Sequence, residues 1–244
     1  MTLREKFEQS GNWLFRWRSY LPLLLFVPLV VEMHRSPSPI AGGWFEMGRQ
    51  AVCFAISMVG FALRVFTVGH TPPGTSGRTT RRQKAASLNT TGAYSLLRHP
   101  LYLANLLMWL GIALSCCTWS LLVIFLLAFS LYYERIMFAE EEYLRRRFGP
   151  QFEQWAATTP AFLPRIANWT PPSQSFSMRK ILRKEYSGLF AVVAGFCLAR
   201  AFEHATAEKR LFIEPAWLVL LLATFVVYLI LRTLHTRTRL LAAD

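Results

Sequence analysis

The feature that most limits what this chain can fold into is the gathering of its apolar residues into long runs. "YLPLLLFVPLVVEM" fills residues 20–33, and a second run extends from Trp44 to about Val68. "LYLANLLMWLGIALSCC" and "WSLLVIFLLAFSLYY" follow, divided near Cys116-Cys117-Thr118. "YSGLFAVVAGFCLA" begins at Tyr186 and "PAWLVLLLATFVVYLILR" at Pro215. A hydrocarbon core takes roughly 20 apolar residues as a helix, fewer where flanking side chains reach the interface. Residues 119–138 and 215–231 meet that length, while the runs from Tyr20, Pro100 and Tyr186 are shorter. With 53% hydrophobic and 17% charged residues, an ordinary soluble domain is excluded. The expected fold is all-α: a polytopic membrane helix bundle of about six transmembrane helices, with four as the lower count.

Charge orients such a bundle. Residues 70–99 carry Arg78, Arg81, Arg82, Lys84 and Arg98 and no acid; residues 140–185 carry Arg145, Arg146, Arg147, Arg165, Arg179, Lys180, Arg183 and Lys184. The connection from His34 to Arg49 is sparse in charge, and residues 203–214 balance Glu203, Glu208 and Glu214 against Lys209 and Arg210. The positive-inside rule puts both basic loops in the cytoplasm, and both termini with them. The net charge of +13 sits at the ends of apolar runs, so it reads as attraction to anionic lipid heads and not to nucleic acid. The first run lacks a small-residue cleavage site and reads as a retained anchor. Before it, Phe7, Trp13, Phe15 and Trp17 alternate with Arg16 and Arg18, a pattern for a helix lying in the interface. Three segments follow: 1–49, an interfacial helix and first span; 50–170, a core with two cytoplasmic segments; 171–244, a C-terminal helical hairpin.

Cys53, Cys116, Cys117 and Cys197 lie in apolar stretches without CxxC spacing, and read as packing residues. His34, His70, His99, His204 and His235 are far apart, so no metal site is expected. Glycosylation sequons at Asn89 and Asn168 fall on the side assigned to the cytoplasm and are discounted.

Two cytoplasmic segments carry more pattern than linkers need. In the first, Pro72-Pro73-Gly74 signals a turn, and Gly74 and Gly77 let "GTSGR" expose backbone N–H groups beside Arg78. Asn89-Thr90-Thr91-Gly92 offers caps for a helix containing Tyr94, and Pro100 restarts the helix beyond it. His99 and Tyr102 share a helical face. An interfacial His-Tyr anchor is the plainer reading of that pair. In the second segment Glu140-Glu141-Glu142 precede Arg145-Arg146-Arg147, and i,i+4 spacing pairs Glu141 with Arg145 and Glu142 with Arg146. Glu134 and Arg135 lie deeper toward lipid, where charge is a functional hypothesis by default.

Together these segments resemble the isoprenylcysteine carboxyl methyltransferase and phospholipid methyltransferase superfamily, membrane enzymes that use S-adenosylmethionine. The resemblance rests on Gly92-Ala93-Tyr94, Arg98-His99-Pro100-Leu101-Tyr102, Glu140-Glu141-Glu142-Tyr143-Leu144, Phe148-Gly149-Pro150-Gln151-Phe152 and Phe162-Leu163-Pro164, and covers about residues 50–165. It implies that Tyr94, His99, Pro100, Leu101 and Tyr102 hold the cofactor, with the strand-like approach Ala86 to Asn89, including Leu88 and Asn89, alongside. It implies that Glu140 also reaches the cofactor, as a catalytic residue, and that Arg135 touches the acceptor. Arg78 and Arg98 are the further acceptor candidates. The chain departs from the family at Ala86, where a His is frequent, and in its last two apolar runs.

The chemistry suits the residues. Displacement at a sulfonium asks for positioning in a dry cleft, and Tyr94 and Tyr102 offer aromatic faces to a cation. No G-x-G-x-x-G indicates a Rossmann-type site. The expected function is methyl transfer from S-adenosyl-L-methionine to a phosphate or carboxylate of a lipid or lipidated acceptor, with the active site facing the cytoplasm from a bacterial inner membrane. A phospholipid amine is the alternative acceptor, and a scaffold or transporter the alternative class.

Overall fold

The computed structural model of the chain describes residues 1–18, 43–72, 85–116 and 119–237, with positions 20, 24, 27, 31, 75 and 83 beside them. The described residues form nine α-helices and one 3-10 turn, and contain no strand. They are α1 (Leu3–Trp17), α2 (Trp44–Gly69), α3 (Ala93–Leu96), α4 (Pro100–Ser115), α5 (Trp119–Phe148), α6 (Pro150–Thr158), α7 (Met178–Lys184), α8 (Tyr186–Ala207) and α9 (Pro215–Arg237), with the 3-10 turn at Ile166–Asn168. Helices α2, α5, α8 and α9 are long and apolar enough to cross a membrane, and α4 is a shorter apolar helix. In lipid only a helix satisfies its own backbone, which is why apolar runs of this length fold this way. The chain is a polytopic helical membrane bundle. The expected first span, Tyr20–Met33, falls almost wholly outside the described residues.

The contacts divide the chain into two compact units. One comprises Phe26–Val65, Ala104–Val123 and Ser177–Asp244. Its core joins Cys53, Met108, Ile112, Cys116, Leu121, Val192, Phe196 and Ala199. Between membrane helices the attraction is packing, not release of water, so small residues sit where backbones meet. A Cβ on Gly60 of α2 would lie 2.7 Å from the Ala104 carbonyl oxygen and from the Met108 nitrogen of α4. Gly111 of α4 packs as closely on Ser57 and the Cys53 carbonyl, and the Ser57 hydroxyl donates to the Met108 carbonyl at 2.8 Å. Phe196 stacks on Trp217 with centroids 5.2 Å apart, tying α8 to α9.

Charges inside this unit are paired, as low dielectric demands. Glu185 is buried and accepts from Arg64 Nε at 2.6 Å, while Arg64 Nη1 donates to Asn105 Oδ1 at 2.7 Å. A larger network gathers the start of α2, the end of α8 and the approach to α9. Arg200 donates to Glu46 at 3.0 Å, to Glu203 at 2.5 Å and to Glu214. Arg49 donates to Glu46 and to the Ser115 carbonyl, and His204 Nε2 lies 3.1 Å from Glu214. Hydrogen bonds from Arg200 and His204 outweigh burial and hold the Glu214 carboxyl below the usual carboxylate range.

The other unit comprises Met1–Leu25, Phe66–Leu103 and Ile124–Phe176. Helix α1 starts in a capping box, in which the Thr2 side chain and Glu5 each accept from the other's backbone N–H. It lies along α5: Gly11 lets the backbone meet the Arg135 carbonyl, Phe7 packs edge-on to Phe138 at 5.6 Å, and Tyr132 donates to the Leu14 carbonyl. Leu97, Ile136 and Phe152 are fully buried here.

Candidate active site

The site is built where the chain enters α4. Gly92 adopts φ +62°, a left-handed conformation that costs a side chain but not glycine, and this starts the single turn of α3. The Gly92 N–H donates to the Thr170 carbonyl, the Thr170 N–H to Ser95 Oγ, and the Trp155 indole to the Tyr94 carbonyl at 3.3 Å. Leu97 to His99 then run extended beside residues 160–165. The Arg98 N–H donates to the Pro160 carbonyl at 2.8 Å, His99 to Ala161 at 3.2 Å, and Arg165 to Leu96 at 2.9 Å. Pro100 opens α4 at its first position, where the absent N–H has no intrahelical partner to lose. Gly149, at φ +54°, turns the chain from α5 into α6 and brings Trp155 and Thr159 back to this loop.

Two residues of the loop meet two residues of α5. Arg98 grips Glu141 with both arms, Nε to Oε1 at 2.9 Å and Nη2 to Oε2 at 3.3 Å, and its Nη1 donates to the carbonyls of Ala156 and Thr159. His99 is buried between two carboxylates, with Nε2 3.0 Å from Glu141 and Nδ1 3.6 Å from Glu140. Tyr102 donates to Glu140 at 2.7 Å and stacks on the His99 ring, centroids 5.4 Å apart. Tyr133 and Phe129 continue the aromatic wall, at 4.9 Å from Tyr102 and 4.2 Å from each other. Burial alone would lower the affinity of His99 for its second proton, but the two carboxylates outweigh it and raise its pKa above the usual 6.5. The arrangement offers carboxylates beside aromatic faces, a setting that stabilises a cation.

The structure brings together Arg98, His99, Tyr102 and Glu140, with Pro100 buried and Leu101 half-buried between them. Tyr94 stands on α3, held through its carbonyl by Trp155. Leu88 and Asn89 are half-buried in irregular backbone, where a strand-like approach was expected. Arg135 is directed elsewhere: its guanidinium lies over the Phe7 ring, 3.3 Å from the centroid. Arg78 lies outside the described residues, as do Gly74 and Gly77. The i,i+4 pairs expected on α5 do not form. Glu141 goes to Arg98, Glu142 to Arg4 and Arg145, and Arg146 to Glu8. Partners on other segments, with Arg145 one turn along at i,i+3 for Glu142, win because Glu141 and Glu142 face protein and not water. The bridge from Glu141 to Arg98 and His99 is the part that sequence reading missed. Its signal was present, since an Arg-His pair and a Glu-Glu pair are complementary two by two.

Residues 51–151, which contain this cluster, match the family model described as phospholipid methyltransferase. That family belongs to the isoprenylcysteine carboxyl methyltransferase-like superfamily, and it is this segment of the chain that is similar to it. Over 122 residues it is 36% identical to the cobalt-zinc-cadmium resistance protein CzcN of Cupriavidus metallidurans, covering 48% of this chain and 56% of that one. Over 85 residues it is 40% identical to the nickel-cobalt-cadmium resistance protein NccN of Alcaligenes xylosoxydans xylosoxydans, covering 35% and 39%. The matches thus span about half the length of these relatives or less. No solved structure matches the chain.

Proposed function

We propose that this chain is an S-adenosylmethionine-dependent membrane methyltransferase acting on the head group of a lipid or lipidated acceptor, from the cytoplasmic face of a bacterial inner membrane. One observation carries the reading: buried His99 and Tyr102, bonded to half-buried Glu140 and Glu141, lie inside the segment that matches the phospholipid methyltransferase family. The donor is a sulfonium with an ammonium group, and carboxylates beside aromatic rings fit such a cation. Glu140, His99 and Tyr102 would hold it, with Tyr94, Pro100, Leu101, Leu88 and Asn89 alongside. When bound, the cofactor supplies an electrophilic methyl group.

The chain's own residues then position and exclude water. Tyr102 fixes the Glu140 carboxylate by donating to it, and Arg98 fixes Glu141. Tyr133 and Phe129 line the apolar approach along α5. An acceptor phosphate or carboxylate is already anionic and needs no base, only a cation to orient it. Arg78 is the candidate for that task, because Arg98 already donates to Glu141 and two carbonyls, and Arg135 stacks on Phe7. The same engagement of Arg98 and Arg135 favours a second reading, a phospholipid amine. Its proton would pass to a carboxylate or to His99 in its neutral form.

The test is a lipid comparison. Membranes holding wild type or Glu140→Gln are supplied with methyl-labelled S-adenosylmethionine, and the extracted lipids are separated by head-group charge before mass spectrometry. Because the two relatives are named for metal resistance, the comparison is repeated with added cobalt or cadmium. A product one CH2 heavier in the anionic class supports the first acceptor, and in the amine class the second. Folded wild-type protein that labels neither class rejects the function.

A further inference from the structure

We propose that the cleft between α1 and the far face of α5 binds the head group of an anionic phospholipid, at a place distinct from the His99 cluster. The cleft has a volume of about 510 Å³ and is lined by Leu3, Arg4, Phe7, Phe138, Glu142 and Arg145. That volume is within the usual range of small-ligand sites. On α5, Phe138, Glu142 and Arg145 recur at three- and four-residue spacing and share a face with Arg135. Glu140 stands two positions from both Phe138 and Glu142, about half a turn away. One helix therefore serves two places that do not share side chains.

The floor is apolar and clamped. Phe7 has Phe138 at its edge and the Arg135 guanidinium over its face. The rim is cationic. Glu142, with 5% of its side chain exposed, lies between Arg4, at 2.5 Å, and Arg145. Two guanidiniums hold ten N–H donors, and only three of these reach Glu142. Arg145 also has Glu153 at 3.9 Å, beyond hydrogen-bond reach, so most of these donors make no hydrogen bond to a carboxylate. A phosphate diester sharing the arginines with Glu142 can take them, by the fork geometry arginine offers to phosphate.

The occupant is a membrane lipid and not a soluble phosphate because of the helix that carries the rim. Leu3, Trp13 and Trp17 of α1 are exposed apolar side chains on a helix that also carries Arg4 and Arg16. That composition seats a helix at the headgroup level, where apolar side chains and acyl chains meet. Leu3 and Phe7 offer the lipid's glycerol and upper chain an apolar contact beside the two arginines.

The experiment is native mass spectrometry of the full chain released from nanodiscs of mixed phosphatidylglycerol and phosphatidylcholine, counting retained lipid. Wild type is expected to retain phosphatidylglycerol over phosphatidylcholine by about tenfold or more. Arg4→Gln with Arg145→Gln should bring the ratio close to one while the protein stays helical. Should that double variant not fold, Glu142→Gln serves alone. It removes the competing carboxylate, so retention of phosphatidylglycerol should rise. Equal retention of both lipids by wild type overturns the proposal, as does an unchanged ratio in Glu142→Gln. Displacement of the retained lipid by inorganic phosphate at comparable concentration overturns the assignment to lipid.

Discussion

Glu140, Glu141 and Glu142 occupy successive positions of one helix, each turned about 100° from the last. They find three sets of partners: Tyr102 and His99, then Arg98 and His99, then Arg4 and Arg145. His99 is shared by two of them, and its replacement is the most telling single change. His99→Ala removes the ring that holds both carboxylates in place, and S-adenosylhomocysteine should bind about 10- to 150-fold more weakly. Calorimetry in detergent measures this, with thermal stability recorded on the same samples. Unchanged affinity would remove His99 from the site. The pH dependence follows from the same geometry. Since the folded pKa of His99 is raised above 6.5, its imidazolium adds stability in full below that unfolded value, and this is lost as pH rises through the raised folded one. Wild type should therefore lose thermal stability over that window relative to His99→Gln, whose side chain does not titrate. A parallel pH profile for the two proteins would contradict the bridged arrangement. The identity of the cluster was legible in sequence, because Arg98-His99-Pro100-Leu101-Tyr102 and the acid triplet are compact signals. The pairing was not, because which face of α5 each acid presents is set by α1 and the α6 turn, far away in sequence.

At the level of elements, the apolar runs announced α2, α5, α8 and α9, since run length and hydrocarbon thickness are the same quantity in different units. Charge balance along the chain does not reveal contact between helices, and the close approach of α2 to α4 was invisible for that reason. Gly60 and Gly111 read as ordinary members of apolar runs until a Cβ is placed on each and meets backbone of the neighbour. Gly60→Leu should therefore separate the helices. Overpacking of a tight contact costs about 1–3 kcal/mol or more, and the backbone atoms at 2.7 Å cannot yield as a side chain can. The check is thermal denaturation in one detergent for Gly60→Leu against Gly48→Leu, the latter at an α2 glycine with open space around it. Equal losses would mean that the close approach does not matter to stability.

At the level of the molecule, the last two apolar runs are joined to their own unit by charge as well as by apolar packing. Arg200 of α8 reaches Glu46 at the start of α2 and Glu214 at the approach to α9. Removing one partner from a buried ion network typically costs about 3–5 kcal/mol, because the rest is left uncompensated. Arg200→Met should be destabilising on that scale, and Arg200→Met with Glu46→Gln less than the sum of the two single changes. A double-mutant cycle on thermal stability measures the difference, and strict additivity would show that the two groups do not interact. Helix α5 carries a consequence of another kind. It runs unbroken for 30 residues, with Arg4 against one face and His99 against the other. Were a ligand on one side to turn such a rod, the residues on the other side would turn with it. Linkage then requires that anionic lipid change S-adenosylhomocysteine affinity by the same factor by which S-adenosylhomocysteine changes lipid affinity. Titration of each in the presence and absence of the other should return one factor, different from unity. A factor of one would show two faces of a helix that do not converse.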